Sequence, residues 1–192
     1  MQFSPTEKRD LLKGWIAIST AFSILLTHEL DVTIFLMNLV ISAFTVGIAF
    51  LLHEMGHKYL AQRYNCWAEF RSFDAMLILA LVMSFFGFIF AAPGAVMIHG
   101  NLTKQKYGRI SAMGPLVNIM LAVFFLVLSF FGLGIFKSIT FYGFYINSFI
   151  ALFNMLPFWE FDGVKILRWN KLVYALMVLI SMAFVALTYF IF

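Results

Sequence analysis

Residues 32–65 read VTIFLMNLVISAFTVGIAFLLHEMGHKYLAQRYN. From Val32 to Leu52 no side chain is charged, and about 20 apolar residues are what an α-helix needs to cross a bilayer. The run passes without a break into His53-Glu54-Met55-Gly56-His57-Lys58. Ionisable groups near a membrane interior are costly, about 2.5–3.5 kcal/mol each at a helix centre. Two His and a Glu clustered at the end of an apolar helix therefore need a compensating partner, and a bound cation is the simplest one. On a helix His53 and His57 lie one turn apart on a shared face. Two neutral imidazoles at that spacing can grip one Zn²⁺, with Glu54 beside them to take a proton from a metal-bound water. The helix is expected to continue to Tyr64, with Asn65 just past its end in the left-handed conformation that Asn tolerates.

The composition around this stretch agrees with it. Of 192 residues, 63% are hydrophobic and 11% are charged, whereas a soluble domain carries about 45–50% apolar and 25% charged residues. That excess excludes a soluble enzyme, a disordered chain and a nucleic-acid reader, and leaves a polytopic helical membrane protein. The net charge of +4 then reads as Lys and Arg gathered in cytoplasmic loops. A lone cysteine, Cys66, excludes an intramolecular disulfide and reads as a small buried hydrophobe.

Charged residues divide the chain into candidate spans at Leu11–Thr27, Val32–Leu52, Ala75–Ile98, Ile110–Phe136, Ser138–Trp159 and Leu172–Phe192. The expected fold class is an all-α polytopic membrane protein of five to six transmembrane helices. It forms one membrane-embedded domain over residues 1–192, with a motif-bearing core at about 32–171. Lys8, Arg9 and Lys13 place the N-terminus in the cytoplasm, and the turn His28-Glu29-Leu30-Asp31 falls outside. Lys58, Arg63 and Arg71 return the chain to the cytoplasm, where Lys104, Lys106 and Arg109 also belong, as do Lys165, Arg168 and Lys171. Ala75–Ile98 thus carries the inside signature on both flanks, yet it is too short to cross twice. Two readings stay open. One is a re-entrant or broken segment at about 75–98, turning at Ala91-Ala92-Pro93-Gly94 and lining a cavity. The other is an ordinary helix with a loop at its end.

In its motifs the chain resembles the site-2 protease family of intramembrane zinc metalloproteases, in a minimal form. Three signatures stand in the family's order: His53-Glu54-Met55-Gly56-His57, then Gly114-Pro115-Leu116-Val117-Asn118, then Asn154-Met155-Leu156-Pro157 followed by Asp162-Gly163. Together they cover about Leu51 to Leu167. The resemblance implies that Asp162 joins His53 and His57 as the third zinc ligand and that Glu54 is the catalytic base. It implies that Asn154 lies near the site and holds substrate backbone or the transition state. The charge-derived orientation agrees by putting the His pair and Asp162 towards one side. Asp162 could instead be a helix N-cap, and Asn154 could instead make a helix–helix hydrogen bond. Gly114, Pro115 and Asn118 read as close-packing, helix-shaping residues. The pattern departs from the family at Glu160, where a Pro is common, and at Gly163-Val164, where Gly-Gly is common. Glu160 reads as a solvated loop residue with a carboxylate that could approach the metal. His99 has no ligand partner in the sequence, and the glycosylation pattern Asn101-Leu102-Thr103 falls on the cytoplasmic side.

The expected function is an intramembrane zinc endopeptidase of regulated intramembrane proteolysis, with Zn²⁺ as cofactor and no room for a PDZ or CBS domain. Its partners are the lipid bilayer and a transmembrane protein or peptide, cut near the cytoplasmic side; nucleic acid is not among them. The expected setting is a prokaryotic cell membrane with the N-terminus cytoplasmic. The substrate helix must unwind to expose its peptide bonds, and the segment around Pro93-Gly94 could offer edge backbone groups to it; the resemblance implies the same, since many members of the family carry an inserted β segment in this region. The rivals are a catalytically silent membrane scaffold of the same fold, which would not need Glu54, and a metal carrier. A carrier would need further polar ligands along a path, and the first and last spans have few.

Overall fold

A computed structural model describes residues 1–27, 31–89, 93–131 and 134–191. The turns expected at His28-Glu29-Leu30 and at Ala91-Ala92 lie outside these residues. The chain begins with α1 (Pro5–Leu26), whose N-cap Ser4 accepts from the Glu7 backbone N–H and whose Pro5 fits the first turn. Asp31 caps the next helix in the same way, its Oδ1 accepting from Thr33 and Ile34. That helix is one continuous run: α2 (Val32–Ser42), a π turn at Ala43–Gly47, and α3 (Ile48–Arg63). The π turn is pinned from two sides. Trp15 Nε1 of α1 donates to the Ala43 carbonyl at 3.1 Å, and Thr45 Oγ1 donates to the Ile41 carbonyl at 2.7 Å. As expected, α3 ends with Asn65 in left-handed backbone, at φ 57°.

Among the described residues, four helical runs are long and apolar enough to cross a membrane: Val32–Arg63, α5 (Lys104–Ser129), α6 (Ile135–Asn154) and the greater part of α8 (Lys171–Ile191). At 22 residues α1 is also of spanning length, about 33 Å. Its first half carries Glu7, Lys8, Arg9, Asp10 and Lys13, however, and this sets it apart from the four.

The segment at 75–98 is broken. It starts as α4 (Asp74–Ser84), 11 residues long, which covers about 16 Å, half the hydrocarbon thickness. It ends as a strand, β2 (Gly94–His99), antiparallel to β1 (Trp67–Ser72). The register runs from Trp67 opposite His99 to Ser72 opposite Gly94, and Phe73 N–H donates to the Pro93 carbonyl beyond it. Residues 73 and 93 are therefore neighbours, so the excursion between them returns to where it began. Of the two open readings this geometry matches the broken segment, not an ordinary continuous helix. The small sheet is an addition to the expected all-helical architecture.

Packing of the helices depends on close approach, as it must where lipid is as apolar as the interior. A Cβ on Gly56 of α3 would lie 3.0 Å from the Met113 carbonyl of α5, and one on Gly143 of α6 would enter the Phe125 ring. Two apolar clusters seal this side: Ala122, Phe125 and Phe144, and next to them Ile119, Ala151, Met155, Ile166 and Met177. The last cluster ties α8 and the short α7 (Asp162–Trp169) against α5 and α6. Met120, Phe124, Leu179 and Tyr189 on the outer faces stay exposed, as lipid-facing residues would.

Candidate metal centre

Helical spacing puts His53 and His57 on one face of α3, and that face looks onto α5. There a glycine leaves room. A Cβ on Gly114 would lie 2.4 Å from His57 Nε2 and 2.6 Å from His53 Nε2, so the space above Gly114 is a cradle that any other residue would fill. Asp162 enters the cradle from the first residue of α7. Its helix begins close against the end of α6 because Gly163 has no side chain: a Cβ there would lie 2.2 Å from the Met155 carbonyl. Phe161 is the N-cap, so Asp162 does not cap its helix.

The three donor atoms converge. His53 Nε2 and His57 Nε2 are 3.0 Å apart, and Asp162 Oδ2 lies 3.4 Å from the first and 3.1 Å from the second. All three residues are buried. The opposite ring nitrogens are occupied. His53 Nδ1 lies 2.6 Å from Asn118 Oδ1, and His57 Nδ1 lies 2.9 Å from the Ile110 carbonyl. The Asn118 amide is oriented by its other contacts, because its Nδ2 donates to the Ala49 carbonyl and to Asn147 Oδ1. Both Nδ1 atoms must then carry the hydrogen, and both Nε2 lone pairs face each other and a carboxylate. Three converging lone pairs repel unless a cation lies among them. Ligand edges of about 3.3 Å are what a tetrahedral zinc with bonds of about 2.0 Å requires, and two His with one carboxylate is a catalytic three-ligand set. The donors therefore fit a zinc ion.

Glu54 is buried beside the pair, and its Oε2 accepts from the Val96 backbone N–H of β2 at 3.1 Å. Asn154 is the last residue of α6, and its Nδ2 donates to the Ile150 carbonyl within its own helix at 3.0 Å.

A protein of Methanocaldococcus jannaschii that bears the name "Putative zinc metalloprotease" is 39% identical over 179 residues, which is 91% of this chain and 90% of the relative. The chain belongs to this zinc metalloprotease family. A second protein of the same organism, named zinc metalloprotease, is 28% identical over 123 residues, or 63% of this chain and 31% of the relative. No family model and no solved structure matches the chain.

In this metalloprotease, then, the structure gathers His53, His57 and Asp162, with Glu54 alongside. Glu160 stays out: it is exposed, and its backbone carbonyl accepts from Lys165 Nζ. His99 is exposed at the end of β2 with its ring against Trp67, away from the cluster. Asn118 holds more than a packing role, since it orients the imidazole of His53, one of the three converging donors, and is itself held by Asn147, whose Nδ2 donates to the Gly143 carbonyl. The signal for it was an Asn one turn past Gly114, on the same helix face. Asn147 gave no signal in the sequence. Lys58, counted as a cytoplasmic charge, is 1% exposed and fully engaged inside the protein.

Proposed function

We propose that this metalloprotease is an intramembrane zinc endopeptidase that hydrolyses a peptide bond within or beside a transmembrane helix, near the cytoplasmic side of a prokaryotic membrane. The observation that carries the reading is the position of the three-donor cradle. Two of its members belong to a helical run of 32 residues that is apolar enough to span a bilayer. A zinc ion held by His53, His57 and Asp162 would supply Lewis acidity, polarising the scissile carbonyl and acidifying an attacking water. The remaining work falls to side chains and backbone. Glu54 adjoins the ligands and accepts the water's proton, then returns it to the leaving nitrogen. Asn118 and the Ile110 carbonyl keep both imidazoles in the tautomer that leaves Nε2 free.

The substrate must present extended backbone, and β2 is suited to receive it. Backbone groups in an antiparallel pair point alternately to the partner strand and away from it. Val96 N–H points away, to Glu54, so Gly94 and Ile98 present their groups on the same outer edge. Addition of an unwound strand to this edge brings its peptide bonds beside Glu54. Asn154 takes part in this reading by exchanging its bond to the Ile150 carbonyl for the substrate backbone.

The test is cleavage of a single-span substrate by the reconstituted full chain, with zinc removed by a chelator and then restored. Cleavage should stop and resume, and Asp162→Asn should lower zinc occupancy and activity together. Zinc flux into vesicles without cleavage would instead identify a carrier, and neither activity would identify a scaffold.

A further inference from the structure

Glu7 is the third residue of α1 after its cap, and Ser4-Pro5-Thr6-Glu7 has the S-x-x-E pattern in which the Glu normally folds back on its own helix. Here the carboxylate points elsewhere. It is wholly buried, its Oε1 and Oε2 lie 2.6 and 2.5 Å from Lys58 Nζ, and its Oε1 also accepts from the Phe70 N–H at 2.9 Å. Lys58 is buried as well, with Phe3 over its ammonium. A buried pair is weak evidence for stability, because desolvation offsets the attraction. Its geometry suggests another use. Lys58 stands four residues after Glu54, one turn along the same face of α3. Phe70, held by Glu7, is the cross-strand partner of Val96, held by Glu54. One face of the motif helix therefore fixes both outer edges of the hairpin at a single residue pair, directly at Glu54 and through Glu7 at Lys58.

We infer that Glu7 is a positioning residue for catalysis: charge-paired with Lys58, it anchors β1 through the Phe70 N–H so that β2 meets the Glu54 carboxylate in the correct place. The inference rests on the protease reading for its kinetic part only. Two double variants isolate the anchor. E7Q/K58M and E7M/K58M both remove the buried charges, but Gln can still accept the Phe70 N–H and Met cannot. In reconstituted full chain, E7M/K58M should lower kcat by about 10-fold to 100-fold, the scale of an ångström-level misplacement. KM should stay within about threefold, and zinc content should be unchanged. E7Q/K58M should restore kcat. Hydrogen exchange gives a readout free of activity, because the Val96 amide should exchange faster in E7M/K58M than in E7Q/K58M. If the two doubles match in kcat and in exchange, the inference is overturned. If wild type does not cleave, the protease reading fails, and exchange alone decides the coupling. If both doubles fail to fold, Lys58→Arg decides. It keeps the pair but lengthens the cation, so a lowered kcat with normal zinc supports the anchor and a wild-type kcat overturns it.

Discussion

Along its β1 edge the hairpin meets a carboxylate that is matched by a cation, and along its β2 edge it meets one that is not. Glu7 holds a backbone N–H while Lys58 lies within 2.6 Å of it. Glu54 holds the equivalent N–H across the pair, and among the described residues no Lys or Arg salt-bridges it. The two contacts look alike in outline and differ in what they leave free. A carboxylate neutralised by an ammonium is a fixture, whereas one bound only to a single amide keeps lone pairs for a proton. The chemistry of each edge follows from that one missing cation.

Exchange of each Glu for Gln is the strongest way to break this comparison. Glu54→Gln should fold and bind zinc nearly as wild type does, while cleavage falls by about 10²–10⁴-fold through loss of the proton acceptor. Glu7→Gln should do the reverse, leaving Lys58 buried without its counter-charge at a cost of about 3 kcal/mol. Zinc content, cleavage rate and thermal unfolding of the two variants check it, and matching profiles would erase the distinction. Gly114→Ala sharpens the Glu54 side. The added methyl occupies the space between the two imidazoles, so zinc affinity should fall by about 100-fold or more with helical circular dichroism unchanged. Zinc titration in detergent measures it. Asn118→Ala frees the His53 ring without filling the cradle, and about a 10-fold loss of zinc affinity is expected in the same titration. Glu160→Gln lies outside both edges and should leave zinc content and cleavage as they are. Loss of zinc there would mean that the third ligand is misassigned.

The parts of the site that were legible in the sequence are those set by local geometry. His53, Glu54 and His57 follow from the period of one helix, and the left-handed Asn65 follows from the tolerance of Asn for that backbone. Asp162 was reached only through the family motif, since nothing local says that a residue 105 positions after His57 returns to it. The broken reading of 75–98 rests on its basic flanks, its length and Pro93-Gly94, and on those signals an ordinary helix stands equally open. The strand there was implied by the family resemblance alone, because Gly94–His99 is as apolar as a span and shows its period only against a partner. The Glu7–Lys58 pair was invisible for a related reason. A Lys beside a membrane helix reads as solvated until a carboxylate 51 residues earlier is known to face it.

The π turn at Ala43–Gly47 has a consequence for how homologous chains must be compared. Such a turn is an α-helix with one residue inserted, and each residue advances a helix by about 100°. The half before it, α2, packs on α1, while the half after it, α3, turns His53 and His57 towards α5. A relative that lacks the turn keeps both faces only if its chain is one residue shorter between Ile41 and Ile48. Alignment of the two without a gap would match His53 and His57 and rotate every earlier position of the span onto the wrong face. Evolutionary insertions and deletions in this membrane helix should therefore gather at the π turn, where a single residue sets the phase between its two halves.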